Sequence, residues 1–290
     1  MLKLVLPKGS LERATFDLFE AADLAVNRSS SIDYRATIDD PRVADVRILR
    51  PQEIPTYVAE GLFDIGITGR DWVEETSSDV VTLGELAYSK ATSNPIRVVV
   101  AVASDSPVQQ VADLPHGLRV STEYPALTRK FFQQRGIEAD IRLSYGASEA
   151  KIPDIADCIV DITETGRALR AAGLRVIDTI LVSYTELIAN KAACADPAKR
   201  HAMGQLLTLL NGALEARDKV LVKLNVMDGH YEAVIALLPA LGSPTISPLA
   251  SGGYAVETVV EKRRINILIP ALKDAGATGI IELPISKIVH

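Results

Sequence analysis

The sequence predicts an α/β fold: two α/β lobes with a cleft between them, followed by a C-terminal ferredoxin-like βαββαβ domain. Three observations carry this expectation. Short apolar, β-branched runs alternate with stretches of helical spacing from Leu2 to about Val182, the rhythm of sheets covered by helices. That rhythm breaks near Ser93-Asn94-Pro95, dividing it into two lobes. From Lys219 the order changes to strand, helix, two strands, helix, strand. The expected domains are residues 1–92, completed by about 183–213, for the first lobe, 93–182 for the second, and 214–290 for the last domain.

Each element has a local reason. Leu2 to Leu6 is an apolar strand, and Ser10 is placed to cap a helix in which Leu11, Thr15, Leu18, Phe19 and Ala22 share a face. Val46 to Leu49 reads as a strand, Pro51 as the first helical position and Gly61 as the stop. Phe63 to Ile67 reads as a buried strand ending in the turn Thr68-Gly69, so the sheet is expected to be largely parallel. In the second lobe, Ile96 to Ala103, Leu118 to Thr122 and Cys158 to Ile162 are expected strands. Helices are expected from Pro125 to Gly136 and from Thr165 to Gly173, and Arg175 to Val182 is expected to return the chain to the first lobe. A helix over Pro197 to Ala216 acts as a spacer. The last domain is expected to place strands at Lys219 to Val226, Thr245 to Leu249, Tyr254 to Val260 and Thr278 to Leu283. Its helices are expected at Tyr231 to Leu238 and Ile265 to Ala275.

Bulk properties exclude several functions. A chain of 290 residues with 48% hydrophobic and 23% charged residues is a folded protein of more than one lobe. A net charge of -6 argues against general nucleic-acid affinity. Two cysteines, Cys158 and Cys194, make neither a disulfide framework nor a zinc site. No apolar run is long enough to cross a bilayer, and Pro7-Lys8 interrupts the first strand before a signal core forms, so a cytoplasmic location is expected and no membrane partner. His116, His201, His230 and His290 fall near turns, in a helix or at the terminus and read as structural or solvated.

The most informative motif runs from Asp157 to Leu169, where an apolar strand enters a turn of small polar residues and a helix follows. Unpaired N–H groups at a helix start, with the positive end of its dipole, seat a phosphate. Gly166 lets an anion approach the backbone, while Thr163 and Thr165 supply hydroxyl donors. Asp161 and Glu164 repel phosphate and are expected to face hydroxyls or a metal, so a phosphorylated sugar fits the pattern. The competing reading is that Thr165 only caps a helix. Lys8, Arg50 and Arg70 each stand at a predicted strand exit, where ligands gather in open α/β sheets. The competing reading for each is an ordinary solvated cation.

These segments resemble the ATP phosphoribosyltransferase family of histidine biosynthesis, in its long form with a C-terminal regulatory domain. The resemblance runs end to end. It rests on Leu6-Pro7-Lys8-Gly9-Ser10-Leu11, Arg50 through Asp71, Ser121 to Pro125, Gly146-Ala147-Ser148-Glu149, Asp161 through Leu169, and Leu241 to Thr245. It implies two periplasmic-binding-protein-like lobes and an ACT-like last domain. It further implies transfer of phosphoribose from phosphoribosyl pyrophosphate to ATP, with Mg2+ as cofactor and its protein ligands unassigned. The resemblance implies that Thr163, Thr165, Gly166, Arg167 and Ala168 hold the 5-phosphate, with Asp161 and Glu164 near the ribose hydroxyls. Lys8, Arg50 and Arg70 then meet pyrophosphate or triphosphate oxygens, Gly9 and Asp71 join the substrate site, and Tyr124 and Glu149 line the adenine pocket. Tyr124 has an alternative reading as a packing residue.

For the last domain the family implies histidine as feedback inhibitor, at Asn225, Leu241, Ser243, Thr245 and Ala277, and a homo-oligomer from dimer to hexamer. Ser243-Pro244-Thr245 has an alternative reading as a plain turn. The chain departs from the family pattern at Glu53, where Asp is common, and in the compact segment Lys151 to Ile155. A second class, a type II periplasmic-type solute-binding module, shares the two-lobed pattern but accounts for neither the acidic Thr-Gly loop nor the third domain.

Overall fold

In the first sheet, β1 (Leu2–Pro7) lies between β4 (Val43–Leu49) and β5 (Ile65–Gly69), both parallel to it. These strands form as expected because their apolar residues are buried on both faces, Leu4, Val5, Leu6, Ile48 and Ile67 being fully covered. The computed structural model describes residues 1–30, 32–89, 94–239 and 243–290, and of Glu149 the backbone. Its contacts divide the chain into two compact units, Met1–Leu207 and Thr208–His290.

Only the centre of the first sheet is parallel. The strand order is β2-β3-β4-β1-β5-β12-β6, with β2 (Val26–Asn27), β3 (Arg35–Ile38), β6 (Val81–Leu86) and β12 (Thr185–Ala189) all paired antiparallel. A largely parallel sheet is therefore corrected to a mixed one. The strand that makes the difference is β12, which arrives from distant sequence and inserts between β5 and β6.

Helix starts differ from the sequence expectation for local reasons. α1 (Glu12–Ala21) is preceded by Leu11 and takes no cap from Ser10. The Gly9 N–H instead donates to Glu12 Oε2 at 3.2 Å, and the same carboxylate holds Arg28 at 2.7 Å. Pro51 does not open α2 (Ile54–Ala59); Arg50 to Glu53 close as a turn whose Pro51 carbonyl accepts the Thr68 hydroxyl at 2.9 Å. Pro55 occupies the first helical turn instead, and Gly61, at φ +78°, ends the helix as expected. α3 (Arg70–Thr76) follows β5 without a loop.

The second sheet has the order β11-β7-β10-β8-β9. It comprises β7 (Ile96–Ala103), β8 (Leu118–Thr122), β9 (Ala139–Leu143), β10 (Cys158–Thr163) and β11 (Leu174–Ser183), with α4 (Pro125–Gln133) and α5 (Arg167–Ala171) between them. Its core gathers Val98, Val100, Val120, Val160, Phe131 and Phe132. α5 begins two residues later than Thr165 because Gly166 sits at φ +73°, a backbone state that a right-handed helix cannot pass through. After β12 come α6 (Lys191–Ala195) and the predicted α7 (Pro197–Ala216).

The second unit is the expected βαββαβ fold. β13 (Lys219–Val226), α8 (Tyr231–Leu237), β14 (Thr245–Pro248), β15 (Tyr254–Glu261), α9 (Ile265–Asp274) and β16 (Thr278–Pro284) form an antiparallel sheet of order β14-β15-β13-β16. Alternate residues of β13, namely Val220, Val222, Leu224 and Val226, face its helices Leu272 and Val234 in one core.

Candidate active site between two sheet edges

Register brings the predicted cations to one edge. Pro7 pairs with Leu49, so Lys8 and Arg50 leave neighbouring parallel strands side by side, and Arg70 leaves β5, on the other side of β1. Thr185 pairs with both Gly69 and Leu86, so the chain leaves and re-enters the first sheet at that same edge. In the second sheet Thr163 pairs with Arg97, and Ser183 pairs with Ile96, so the crossing chain meets the edge that carries the Thr163 loop. Ser183, Tyr184 and Thr185 alone span the two edges on the return crossing. The Lys8–Arg50–Arg70 edge and the Thr163 loop therefore face a common crevice within the first unit.

The loop itself is open. Thr165, Arg167 and Ala168 are exposed, while Thr163 and Gly166 are buried beneath them. Both threonine hydroxyls accept from loop amides, Thr163 Oγ1 from Gly166 N–H at 2.8 Å and Thr165 Oγ1 from Arg167 N–H at 3.4 Å. Each keeps its own proton to donate, so the hydroxyls shape the loop and still offer donors. Arg170 folds back to the Thr165 carbonyl at 3.2 Å and would crowd a Cβ at Gly166, its Nη1 lying 2.8 Å from that position. Asp161 lies within β10, two residues before its end at Thr163, and Glu164 is the first residue beyond the strand, both half-buried.

The cations differ in readiness. Arg50 is exposed, and its guanidinium makes no ion pair among the described residues. Lys8 Nζ lies 3.9 Å from the centre of the Tyr34 ring. Arg70 already pairs with Glu74 at 2.7 Å and Glu186 at 3.7 Å. Burial raises the Glu186 carboxyl, opposed by the Thr82 hydrogen bond and Arg70. A phosphate that takes Arg70 has to compete with two carboxylates.

Asp71 and Tyr124, expected among the substrate contacts, point inward in this structure. Asp71 is 2% exposed; its Oδ1 accepts the Ser183 hydroxyl at 2.6 Å and its Oδ2 the Tyr124 hydroxyl at 2.7 Å. Burial pushes the Asp71 carboxyl up, with both hydrogen bonds pulling it back, and burial beside Asp71 pushes the Tyr124 phenol well above its ordinary value. The Tyr124 ring stacks on Trp72 at 4.5 Å and belongs to the second-lobe core, so here it has the packing role. Gly9 lies in the exposed turn after Lys8, and the Glu149 side chain lies outside the described residues. Cys158 is buried, with its thiol pushed up to about 12, and offers no nucleophile. A recess beside β8 and β9 holds further cations, but Arg119 and Arg142 are paired with Asp157 and Asp140, and Lys151 with Ser144.

In the second unit the expected effector positions separate. Asn225 faces Thr278 on β16, next to the buried Ala277, whereas Thr245 stands on β14 at the far side of β15, with Ser243 two residues before it. Leu241 lies outside the described residues. Sequence reading did not single out Trp72, Glu75 or Ser183. Their partners lie 51 to 112 residues away, or across the crevice, and no local pattern marks them.

The two α/β lobes thus set cations on one sheet edge opposite a hydroxyl-rich loop, donors of the kind that suit a small polyanion. Residues 50–212 match the family model described as HisG: ATP phosphoribosyltransferase, and residues 216–287 match HisG, C-terminal domain. The chain is 48% identical over 290 residues to an ATP phosphoribosyltransferase of Pelotomaculum thermopropionicum, covering 99% of each. It is 45% identical over 291 residues to one of Desulforudis audaxviator, again covering 99% of each. Among solved structures, the ATP phosphoribosyl transferase (HisG:HisZ) complex from Thermotoga maritima is similar at 26% identity and a TM-score of 0.62, over 72% of this chain and 98% of that one. The chain belongs to the ATP phosphoribosyltransferase family of histidine biosynthesis, in the form that carries the C-terminal domain. It is an enzyme, and the solute-binding alternative falls.

Proposed function

We propose that this enzyme transfers the 5-phosphoribosyl group of phosphoribosyl pyrophosphate to N1 of the adenine of ATP, releasing pyrophosphate. The reading is supported chiefly by the opposition of the Thr163 loop to the Lys8–Arg50–Arg70 edge. The loop from Thr163 to Ala168 binds the 5-phosphate, and Asp161 and Glu164 accept from the ribose hydroxyls. The N1 lone pair forms a bond to the anomeric carbon as the bond to pyrophosphate breaks and its electron pair leaves on that oxygen. The nucleophile is weak, so orientation and neutralisation of the leaving group do most of the work, with Lys8, Arg50 and Arg70 meeting the departing charge.

Asp161 and Glu164, hard oxygen donors at the loop, are the residues that would hold magnesium, which would supply charge neutralisation for the leaving group. Histidine acts as feedback inhibitor on the second unit. Because Asn225 and Ala277 lie on one side of its sheet order and Ser243 and Thr245 on the other, a complete effector site draws on a second copy of the chain. The enzyme works in the cytoplasm as a homo-oligomer.

The test is incubation with ATP, phosphoribosyl pyrophosphate and Mg2+, following ultraviolet absorbance and pyrophosphate release. No pyrophosphate under saturating substrates overturns the reading. In Thr165→Ala, loss of a charge-assisted hydrogen bond worth about 1.5–3 kcal/mol raises KM for phosphoribosyl pyrophosphate about 10- to 100-fold. Unchanged kinetics removes this loop from the site.

A further inference from the structure

We propose that Glu75 is a positioning residue that sets the phosphate loop of one lobe against the cation edge of the other. This inference rests on the phosphoribosyl-transfer reading above. α3 belongs to the first lobe by sequence, since it continues directly from β5, yet one side of it is committed to the second. Asp71 and Glu75, one helical turn apart, both bond across the crevice. Asp71 accepts from Tyr124 and Ser183, and Trp72 between them stacks on Tyr124.

Glu75 makes the most directional of these contacts. Its Oε1 accepts the Ala126 N–H and its Oε2 the Leu127 N–H, both at 2.9 Å. Pro125, the first residue of α4, has no N–H, so these two are the first donors that the helix offers. The residue before α4, Tyr124, provides no side-chain cap. The cap thus comes from the opposite lobe, as a half-buried carboxylate whose pKa burial raises and the two N–H groups lower. A carboxylate gripping two amides tolerates little displacement, so a change of interlobe angle breaks both bonds.

The contact reaches the chemistry from both ends. Arg70 lies five residues before Glu75 on the same helix. α4 follows β8 across only Glu123 and Tyr124, and β8 pairs in parallel with β10, which ends in Thr163. Holding α4 therefore fixes the distance between Arg70 and the Thr163 loop.

The test uses the full chain as wild type, Glu75→Ala, Glu75→Gln and Glu75→Asp. Pulsed electron-spin resonance reads the distance between spin labels on cysteines replacing the exposed Glu20 and Lys130, with Cys194→Ser and dilution by unlabelled protein. Glu75→Ala is expected to broaden the interlobe distribution and lower kcat about 10- to 100-fold, with KM for each substrate changed less than about threefold. Glu75→Asp is expected to recover part of both. Should Glu75→Ala fail to fold, Glu75→Gln, which keeps the volume and one acceptor, carries the same two readouts. An unchanged distribution, or a broadened one with unchanged kcat, overturns the proposal. The distance needs no turnover, so failure here is distinguishable from failure of the assigned reaction, which wild-type kinetics tests alone.

Discussion

Asp71 shows how one side chain trades stability for placement. Its carboxylate is taken out of water and given two hydroxyl donors, yet desolvation still outweighs them and raises its pKa above 3.8. Relative to the unfolded chain, folding therefore shifts this group towards protonation. Stability contributed by this group is present below the unfolded value and declines as pH rises from there through the raised folded value, then stays level. Asp71→Asn keeps an acceptor and cannot ionise. Urea unfolding from pH 4 to 7 should show the wild type losing stability relative to Asp71→Asn as pH rises, and a difference independent of pH would refute the assignment. Thr163 shows a related economy, since one hydroxyl both closes its own turn and retains a donor for a ligand.

At the scale of elements, β7, β8 and β10 of the second lobe were legible because they are short apolar runs in the middle of the sheet and largely buried. By contrast, β9 was missed because Ala139–Leu143 is an edge strand with charged residues and mostly exposed. Helix starts were less so. Ser10, Pro51 and Thr165 each carry the right local chemistry for a first turn. Each was displaced by a contact or backbone state that local preference does not contain: the Glu12–Gly9 bond, the Thr68–Pro51 bond and the left-handed Gly166. β12 was missed because Thr185–Ala189 is short and follows another strand, and its burial depends on both neighbours. α4 is anchored on its inner face by Phe132, 1% exposed in the second-lobe core. Phe132→Ala should destabilise the first unit by about 3–5 kcal/mol, read as a lower urea midpoint at unchanged slope. A change within about 0.5 kcal/mol would place Phe132 outside a packed core.

At the scale of the whole molecule, charge is distributed against the average. The chain carries a net -6, yet Lys8, Arg50 and Arg70 share one edge, where the proposed reaction would bring its polyanionic substrates. Exposed Arg50 is the most screened of them. Raising salt from about 0.1 to 1 M shortens the screening length from about 10 to 3 Å, so KM for both substrates should rise several-fold with a smaller change in kcat. Arg50→Ala should flatten that dependence. A KM independent of salt would show that long-range charge plays no part in capture.

The sequence alone determined the alternation of strands and helices, the βαββαβ order of the second unit and the candidate loop, because these follow from hydrophobic period, glycine position and hydroxyl-rich turns within a dozen residues. Family resemblance added residue roles that spacing does not contain. Tertiary structure alone decided which sheet edges share a crevice, that Tyr124 is turned into the core, and that Glu75 and Ser183 join the lobes. The reason is physical: burial and hydrogen bonding between residues 51 to 112 positions apart depend on strand register and packing, and no local preference encodes either.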